Sequence, residues 1–241
     1  MLSARPYVAT LVEAERLSPS VRSLCFLLAD CDRFDFLPGQ FISLVVPLPE
    51  LGQDNVRSYS LASYPDGSNR IEIAVTHVRG GPGSTWLHEL APGTCVDLSG
   101  PYGFFTLEQP RPAPACFVAT GTGITPIRPM LRRMFELGTD HEATLVFGVR
   151  HEGDILYRAE FEDLAGRHAN FRFVPTLTQP PPPWNGAAGR VQAHVDRLLI
   201  EAKRCDVDVY ICGLRRMVDD VRARLKMAGW DRKKLHQERY D

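Results

Sequence analysis

The chain has 241 residues, 44% of them hydrophobic and 24% charged, with a formal net charge of −1. This size fits one large domain or two ordinary ones with a normal core. The sequence has no excess of basic residues that would indicate nucleic-acid binding. It also has no polybasic run and no apolar run of roughly 18 residues that would indicate a membrane protein. The N-terminal sequence lacks the layout of a signal peptide, so we expect a cytoplasmic protein.

Six cysteines are spread along the chain without a CxxC pair or a cluster of four. They are Cys25, Cys31, Cys95, Cys116, Cys205 and Cys212. This spacing argues against a zinc site and against an iron–sulfur module in this chain, so we expect no metal. Most have apolar neighbours, which predicts buried free thiols of a reducing compartment.

The first half of the chain is a series of short strand-like segments separated by turn signals. These segments are VATLVEA, VRSLCFLL, FISLVV, RSYSLAS, RIEIAVTHV and CVDLSG. Ile71, Ile73 and Val75 alternate with other residues, as is typical of a half-buried antiparallel strand. Six such strands predict an antiparallel six-stranded β-barrel, with one short helix at STWLHEL.

The second half alternates between apolar strands and helical segments. The strands are CFVATG, TLVFGV, FRFVPTL and VDVYICG, and a helical segment follows each of them. This alternation predicts an α/β doubly wound parallel sheet, which binds ligands at the carboxyl ends of its strands. We therefore predict a barrel domain at 1–108, a proline-rich linker at 109–114 and an α/β domain at 115–241.

The stretch NVRSYSLAS has an unusual composition for a barrel strand. Arg57, Tyr59 and Leu61 fall on one face of an extended segment, and Ser58 and Ser60 fall on the other. A cation beside an aromatic ring suits a flat, anionic ligand, because the arginine pairs with phosphate and the ring lies along a ring system.

The stretch GGPGSTWLHEL predicts a phosphate-binding turn. Glycines precede Ser84 at the start of a helical segment, and Ser84 is a natural N-cap. The free N–H groups of such a helix start suit a diphosphate. A flexible hairpin loop capped by a serine is an equally good interpretation of this stretch taken alone.

The stretch GTGITP predicts a second phosphate-binding turn. Gly121 and Gly123 follow a buried strand and open a helix, and Thr122 and Thr125 add hydroxyl groups. The stretch is not GxGxxG, so the dinucleotide fingerprint is not strictly met. A tight strand–helix turn without a ligand is the alternative.

Three further positions can be interpreted only together with these turns. Cys212 ends the last core strand, at the sheet edge where ligands bind, although a buried structural cysteine is the more common interpretation. Glu238 and Tyr240 belong to the C-terminal HQERYD, which by itself indicates a frayed polar tail.

Together these motifs resemble the ferredoxin–NADP reductase superfamily of flavin-dependent electron-transfer reductases. The resemblance runs in chain order through RSYS, GGxGS, GPYGFF, GTGITP, LVFGVRHEGDILYRAEF, YICG and the terminal ERY. It implies a flavin-binding antiparallel barrel followed by a pyridine-nucleotide domain, with FAD as cofactor and NADH or NADPH as co-substrate.

The resemblance also implies individual roles. The implied FAD-binding positions are Arg57, Ser58, Tyr59, Ser60, Thr76, His77, Gly81, Gly83, Ser84 and Thr85. The implied NAD(P)-binding positions are Gly121, Thr122, Gly123, Thr125, Arg150 and Gly213. The implied catalytic positions are Ser60 near the flavin N5, Cys212 beside the nicotinamide, Glu238 in the terminal E-x-Y, and Tyr240 as the aromatic over the flavin, which also binds it.

Two departures from the family pattern bear on these roles. NADP-specific relatives carry a Ser-Arg pair after the third strand of the nucleotide domain, where this chain has Thr176 and Leu177, which favours NADH. Arg150 and Arg190 keep NADPH open, because a guanidinium suits a 2′-phosphate. The chain continues past the family's terminal aromatic to Asp241, which leaves the stacking of Tyr240 open.

The resemblance implies a flavoprotein reductase that passes hydride from NAD(P)H to FAD and then single electrons to a separate acceptor, such as ferredoxin or an oxygenase component. We expect a monomer. One alternative is an NAD(P)H:flavin reductase that uses flavin as a loose substrate. Another is a flavin-binding electron-transfer subunit that works only in a complex. A non-redox nucleotide-binding module is the remotest interpretation.

Overall fold

The computed structural model describes residues 6–48, 55–107 and 113–240. Most of the predicted linker, residues 109–112, and Asp241 lie outside the described residues. The contacts between residues divide the chain into two units. The first is Met1–Leu107 with Arg128–Arg133, and the second is Glu108–Ile127 with Met134–Asp241. The predicted domain limits at 108 and 115 stay a prediction.

The first unit contains an antiparallel sheet of six strands and one short helix. The elements are β1 (Pro6–Ser18), β2 (Val21–Leu28), β3 (Phe41–Val45), β4 (Val56–Ser60), β5 (Arg70–Thr76), α1 (Pro82–Glu89) and β6 (Cys95–Tyr102). The strand order is β4-β3-β6-β1-β2-β5. The two edge strands approach each other at an isolated bridge between Leu61 and Ile73, and Ala62 N–H donates to the Glu72 carbonyl at 2.8 Å. The predicted six-stranded flavin-type barrel is confirmed.

Alternation along these strands builds one apolar core. In β5, Ile71, Ile73 and Val75 are almost fully buried, as their period of two predicts. They pack with side chains such as Phe26 and Leu44 from neighbouring strands in a single cluster. Each such side chain contributes roughly 1.5–3 kcal/mol on burial, so the core fixes which face of β4 points inward.

The second unit is built around a parallel sheet. The strands are β7 (Ala115–Thr120), β8 (Ala143–Val149), β9 (Phe171–Leu177), β10 (Ala187–Ala188), β11 (Asp208–Leu214) and β12 (Leu235–Tyr240). The helices that follow these strands in the chain are α2 (Ile127–Glu136), α3 (Arg158–Arg167), α4 (Val191–Val195) and α5 (Arg215–Met227), and residues Arg128–Arg133 of α2 are grouped with the first unit. The strand order is β10-β9-β8-β7-β11-β12, so the direction of winding reverses at β7. The predicted α/β parallel sheet is confirmed.

Several local expectations differ from the structure. The terminal HQERY segment is not frayed, because β12 pairs in parallel with β11. The helical segment predicted after the FRFVPTL strand consists of α4 followed by a π-helical segment, Asp196–Ile200. The GTGITP stretch forms a 3₁₀ turn at Gly121–Ile124, and α2 begins only at Ile127, after Pro126.

The cysteine prediction is correct in expecting free thiols, but only half of the cysteines are buried. All six cysteines are free, and Cys25, Cys116 and Cys212 are buried. Cys95 and Cys205 are exposed, because each lies at the start of a strand or in a loop rather than within an apolar run. Among the described residues, no helix combines the length and apolarity needed to cross a membrane.

Candidate functional site

The glycine-rich turn before α1 has a different cap from the one predicted. The N-cap of α1 is Gly81, and Pro82 occupies the first helical position, where its missing N–H costs nothing. Ser84 is therefore the third helical residue. Its hydroxyl accepts a hydrogen bond from Val78 N–H at 3.0 Å and donates to the Gly81 carbonyl at 3.0 Å. The Ser84 hydroxyl therefore binds backbone groups of the turn that precedes α1, and the prediction that Ser84 is the N-cap is wrong.

Arg57 of β4 lies beside this helix start. A Cβ atom added at Gly83 would be 3.8 Å from both Cγ and Nε of Arg57, so the two residues are in van der Waals range. The first N–H groups of a helix have no partner inside the helix, and the helix dipole is positive there. The guanidinium adds a full charge to that positive end. The pair fits a diphosphate, the anionic part of FAD.

Tyr59 and Ser60 continue the same strand. Tyr59 is paired with Ile42 of the neighbouring strand β3 and packs against the barrel core. Burial raises the pKa of Tyr59 to about 12, and the Arg57 cation only partly opposes this rise, so the phenol is neutral at physiological pH. Ser60 is also buried, whereas the Ser58 hydroxyl lies 3.5 Å from the Ser43 hydroxyl on an exposed part of the strand pair.

The end of β5 meets α1 through a histidine pair. The ring of His77 lies 5.2 Å from that of His88, and His77 Nε2 is 3.4 Å from Thr85 Oγ1. His88 Nε2 lies 2.8 Å from the Val75 carbonyl, and burial lowers the pKa of His88. The sequence motifs singled out His77 with Thr76, the last residue of β5, but missed His88, whose helical position gives no signal by itself.

In the second unit, the Gly121–Ile124 turn lies directly on the end of β11. A Cβ atom at Gly123 would be 2.3 Å from the Cys212 carbonyl oxygen, a distance that no side chain tolerates. Gly213 has φ +146°, and a Cβ atom there would be 2.3 Å from Thr120 Oγ1. Both glycines are required by close approach of the backbone, because a side chain at either position would clash where β7 and β11 end.

Four of the predicted residues meet at this edge. β11 and β12 align Cys212 with Glu238, and Tyr240 Oη lies 3.2 Å from Thr125 Oγ1. The Thr125 hydroxyl donates to the Thr122 carbonyl at 2.8 Å, so it accepts from Tyr240. Burial raises the pKa of Cys212 well above its usual range, and the Glu238 carboxylate raises it further, although the Tyr240 hydroxyl and the Gly213 backbone oppose this.

The two arginines considered for a 2′-phosphate are both exposed. Arg150 directly follows β8, and Arg190 is the N-cap of α4, so both lie at the carboxyl side of the sheet. A cavity of about 550 Å³ lies at the opposite side, where Ala115, Ala143 and Phe171 begin β7, β8 and β9. Parallel sheets bind ligands at the carboxyl ends of their strands, so the candidate site is the loop edge rather than this cavity.

Comparison with known proteins identifies the family. A family model described as the oxidoreductase FAD-binding domain matches residues 8–107, and one described as the oxidoreductase NAD-binding domain matches residues 117–223. The chain is 47% identical to ferredoxin–NADP reductase B of Sorangium cellulosum (strain So ce56), and the match covers all of both chains. The chain belongs to the ferredoxin–NADP reductase superfamily. The predicted family, its enzyme class and its cofactors, FAD and NADH or NADPH, are confirmed.

Other members of the superfamily are longer. The phenol hydroxylase P5 protein of Acinetobacter pittii (strain PHEA-2) is 31% identical over 97% of this chain but only 65% of its own length. The crystal structure of the Amycolatopsis cytochrome P450 reductase GcoB superimposes with a TM-score of 0.87 at 28% identity, covering 99% of this chain and 71% of that one. The chain thus spans about two thirds of these reductases. The roles of individual site residues stay predictions.

Proposed function

We propose that this member of the superfamily takes hydride from NAD(P)H onto FAD and passes single electrons to a separate protein acceptor. The observation that carries the proposal is the meeting of Thr125, Cys212 and Tyr240 at the carboxyl edge of the second unit's sheet. That edge is where parallel sheets bind dinucleotides, and the winding reverses at β7 beside it.

The first unit supplies the flavin site in this proposal. Arg57 and the N–H groups at the start of α1 hold the diphosphate, and Gly81 and Gly83 keep side chains away from it. Tyr59 offers a neutral ring for the flat isoalloxazine, and Ser60 offers a hydroxyl near N5. FAD, when bound, supplies the chemistry that converts a two-electron hydride transfer into single-electron steps.

The second unit orients the nicotinamide nucleotide. Gly121, Gly123 and Gly213 leave the backbone accessible to it, and the Thr125 hydroxyl is held in one orientation by its two hydrogen bonds. Cys212 remains a neutral thiol because of its raised pKa, so it acts by contact with the ring and not as a nucleophile. Glu238 keeps a negative charge close to this contact.

The acceptor we propose is an iron–sulfur protein such as a ferredoxin. The Sorangium relative, which this chain matches over its full length, is a ferredoxin–NADP reductase and supports ferredoxin. The phenol hydroxylase relative supports an oxygenase component as the second candidate. A monomer in the cytoplasm is part of the same proposal.

An anaerobic absorbance titration of the purified protein tests the proposal, with NADH and NADPH in separate cuvettes. We expect a yellow protein that bleaches with one of the two nucleotides and recovers its colour when ferredoxin is added. A yellow protein that bleaches with neither would contradict the proposal and favour a partner-dependent subunit. Loss of flavin on gel filtration, with activity restored by added flavin, would favour the flavin reductase.

A further inference from the structure

A buried histidine and a buried threonine lie side by side at the carboxyl end of β9. His194 of α4 is 6% exposed, and Thr176 of β9 is 0% exposed. His194 Nε2 lies 2.9 Å from Thr176 Oγ1. Buried polar side chains are retained where their hydrogen bonds fix something in place, so what this pair holds is informative.

The hydrogen bonds of the pair run in one direction. Arg197 Nη2 lies 3.3 Å from His194 Nδ1, and a guanidinium only donates, so Nδ1 accepts. His194 Nε2 therefore carries the hydrogen and points it at Thr176 Oγ1 and at the Ala188 carbonyl, 3.2 Å away. The Thr176 hydroxyl in turn donates to the Gly189 carbonyl at 2.9 Å. The chain of donors ends on two consecutive backbone carbonyls.

These carbonyls belong to the turn between β10 and α4. Gly189 has φ +103°, and its N–H donates to the Leu177 carbonyl at 2.8 Å, so the turn is bound to β9 from both sides. Arg190, the next residue, is the N-cap of α4. Loop backbone is usually hydrated, whereas two carbonyls of this turn accept hydrogen bonds from buried side chains. The Thr176–His194 pair ties the turn to β9 and α4.

The turn occupies the sheet edge that a dinucleotide has to cross. β9 lies two strands from β7 in the sheet order, which is about 10 Å at the usual strand spacing. The nicotinamide end of the coenzyme, in the proposed function, sits at β7 and β11. The other end then extends over β8 towards β9, because dinucleotides bind across the carboxyl ends from the point where the winding reverses.

We propose that the Thr176–His194 pair positions the Ala188–Gly189 turn as a rigid support for the adenosine half of NAD(P)H. Thr176 and His194 are positioning residues, because they act through the turn backbone and not by touching the coenzyme. The inference rests on the proposed function for the location of the nicotinamide end. In this proposal the Thr176–His194 pair affects the affinity for the coenzyme but takes no part in hydride transfer.

The test compares Thr176→Val, which removes the hydroxyl at equal volume, with Thr176→Ser, which keeps it. With the coenzyme that reduces the wild type, we expect Thr176→Val to raise KM about tenfold at unchanged kcat, as loss of a buried hydrogen bond implies, and Thr176→Ser to stay near wild type. With reduced nicotinamide mononucleotide, which has no adenosine half, Thr176→Val and wild type should react alike. An equal loss with this short donor, or no change in KM, would overturn the inference.

A second pair of variants protects the test against misfolding. His194→Gln keeps a side-chain N–H donor, whereas His194→Leu removes it, so we expect coenzyme affinity to fall only in the second. Calorimetric binding of ADP and of 2′,5′-ADP to the FAD-loaded protein measures the adenosine subsite without any redox step. We expect about tenfold weaker binding to His194→Leu and Thr176→Val. Equal binding by all variants would refute the inference, while absence of bleaching in the wild type would refute only the proposed function.

Discussion

Tyr240 donates a hydrogen bond from its hydroxyl to Thr125 Oγ1 at 3.2 Å, joining the last described strand to the turn after β7 across 115 positions of sequence. Thr125 passes this restraint on, because its own hydroxyl donates to the Thr122 carbonyl. The terminal strand thus fixes the glycine-rich turn that would receive the coenzyme. The Tyr240 hydroxyl thus restrains this turn, a contact separate from the predicted stacking of its ring on the flavin.

The first prediction concerns this hydrogen bond. Tyr240→Phe keeps the ring but removes the hydroxyl that contacts Thr125 and Cys212, and so releases the Gly121–Thr125 turn. KM for NAD(P)H should rise about five- to tenfold, the equivalent of one hydrogen bond of roughly 1 kcal/mol, at unchanged kcat. Steady-state kinetics with ferricyanide as acceptor measures both constants. Thr125→Val should match Tyr240→Phe, and a fall in kcat at constant KM would instead place the hydroxyl in the hydride step.

Arg57 leads to the second prediction. Removing its guanidinium in Arg57→Ala leaves only the helix start to hold the diphosphate, so the dissociation constant of FAD should rise roughly 10- to 100-fold, as expected for a charge-assisted contact of about 1.5–3 kcal/mol. The dissociation constant of FAD for Arg57→Lys should lie between those of the wild type and Arg57→Ala, because an ammonium group keeps the charge but cannot form two parallel hydrogen bonds to a phosphate. FAD fluorescence on titration gives the constants. Added salt should weaken binding in the wild type more than in Arg57→Ala, and equal salt dependence would argue against a phosphate contact.

The third prediction uses the close approach at Gly123. In Gly123→Ala the new methyl group meets the Cys212 carbonyl oxygen at 2.3 Å, so one of the two backbone segments has to shift. We expect a loss of about 1–3 kcal/mol in the free energy of unfolding, with coenzyme reduction impaired as the turn shifts. Gly153→Ala is the matched control, because a Cβ atom there meets nothing within 4 Å. Denaturant unfolding measures the free energy of unfolding of both variants. Equal values for Gly123→Ala and Gly153→Ala would show that the turn moves to accommodate the methyl group.

Most of the fold can be predicted from the spacing of apolar residues along the strands and helices. The barrel strands and the parallel strands β7, β8, β9 and β11 are apolar runs or alternating segments, and these patterns depend only on which face is buried. β12 was missed because HQERY has no apolar period. Its backbone is paired by β11, a contact from a distant part of the chain that local sequence does not encode.

The candidate site was predicted where glycines mark it and missed where tertiary contacts decide. Gly123 and Gly213 stand out in the sequence, and close backbone approach explains both. The role of Ser84 was misjudged because Pro82 starts the helix earlier, which left the hydroxyl to bond Val78 instead of capping. The partners of His194 lie on a different strand and a different turn, so no spacing rule relates them to it.

The last prediction is the alkaline behaviour of Tyr59. Its pKa is raised from 10 to about 12 in the folded protein, mainly by burial, so between these values the folded state holds a proton that the unfolded state has lost. The free energy of unfolding should therefore be unaffected by this group below about pH 10 and should fall as pH rises from about 10 to 12, by roughly 2–3 kcal/mol in all.

Tyr59→Phe isolates this contribution from other groups that titrate at high pH. The variant keeps the packed ring and removes the phenol, so its unfolding free energy should fall less steeply than that of the wild type between about pH 10 and 12. Denaturant unfolding at a series of pH values, on protein freed of flavin, measures the difference. Bound FAD would cover the ring further, so the flavin-loaded wild type should hold its phenol proton to still higher pH. Parallel curves for wild type and Tyr59→Phe would contradict the raised pKa and show that the phenol is hydrated in the folded protein.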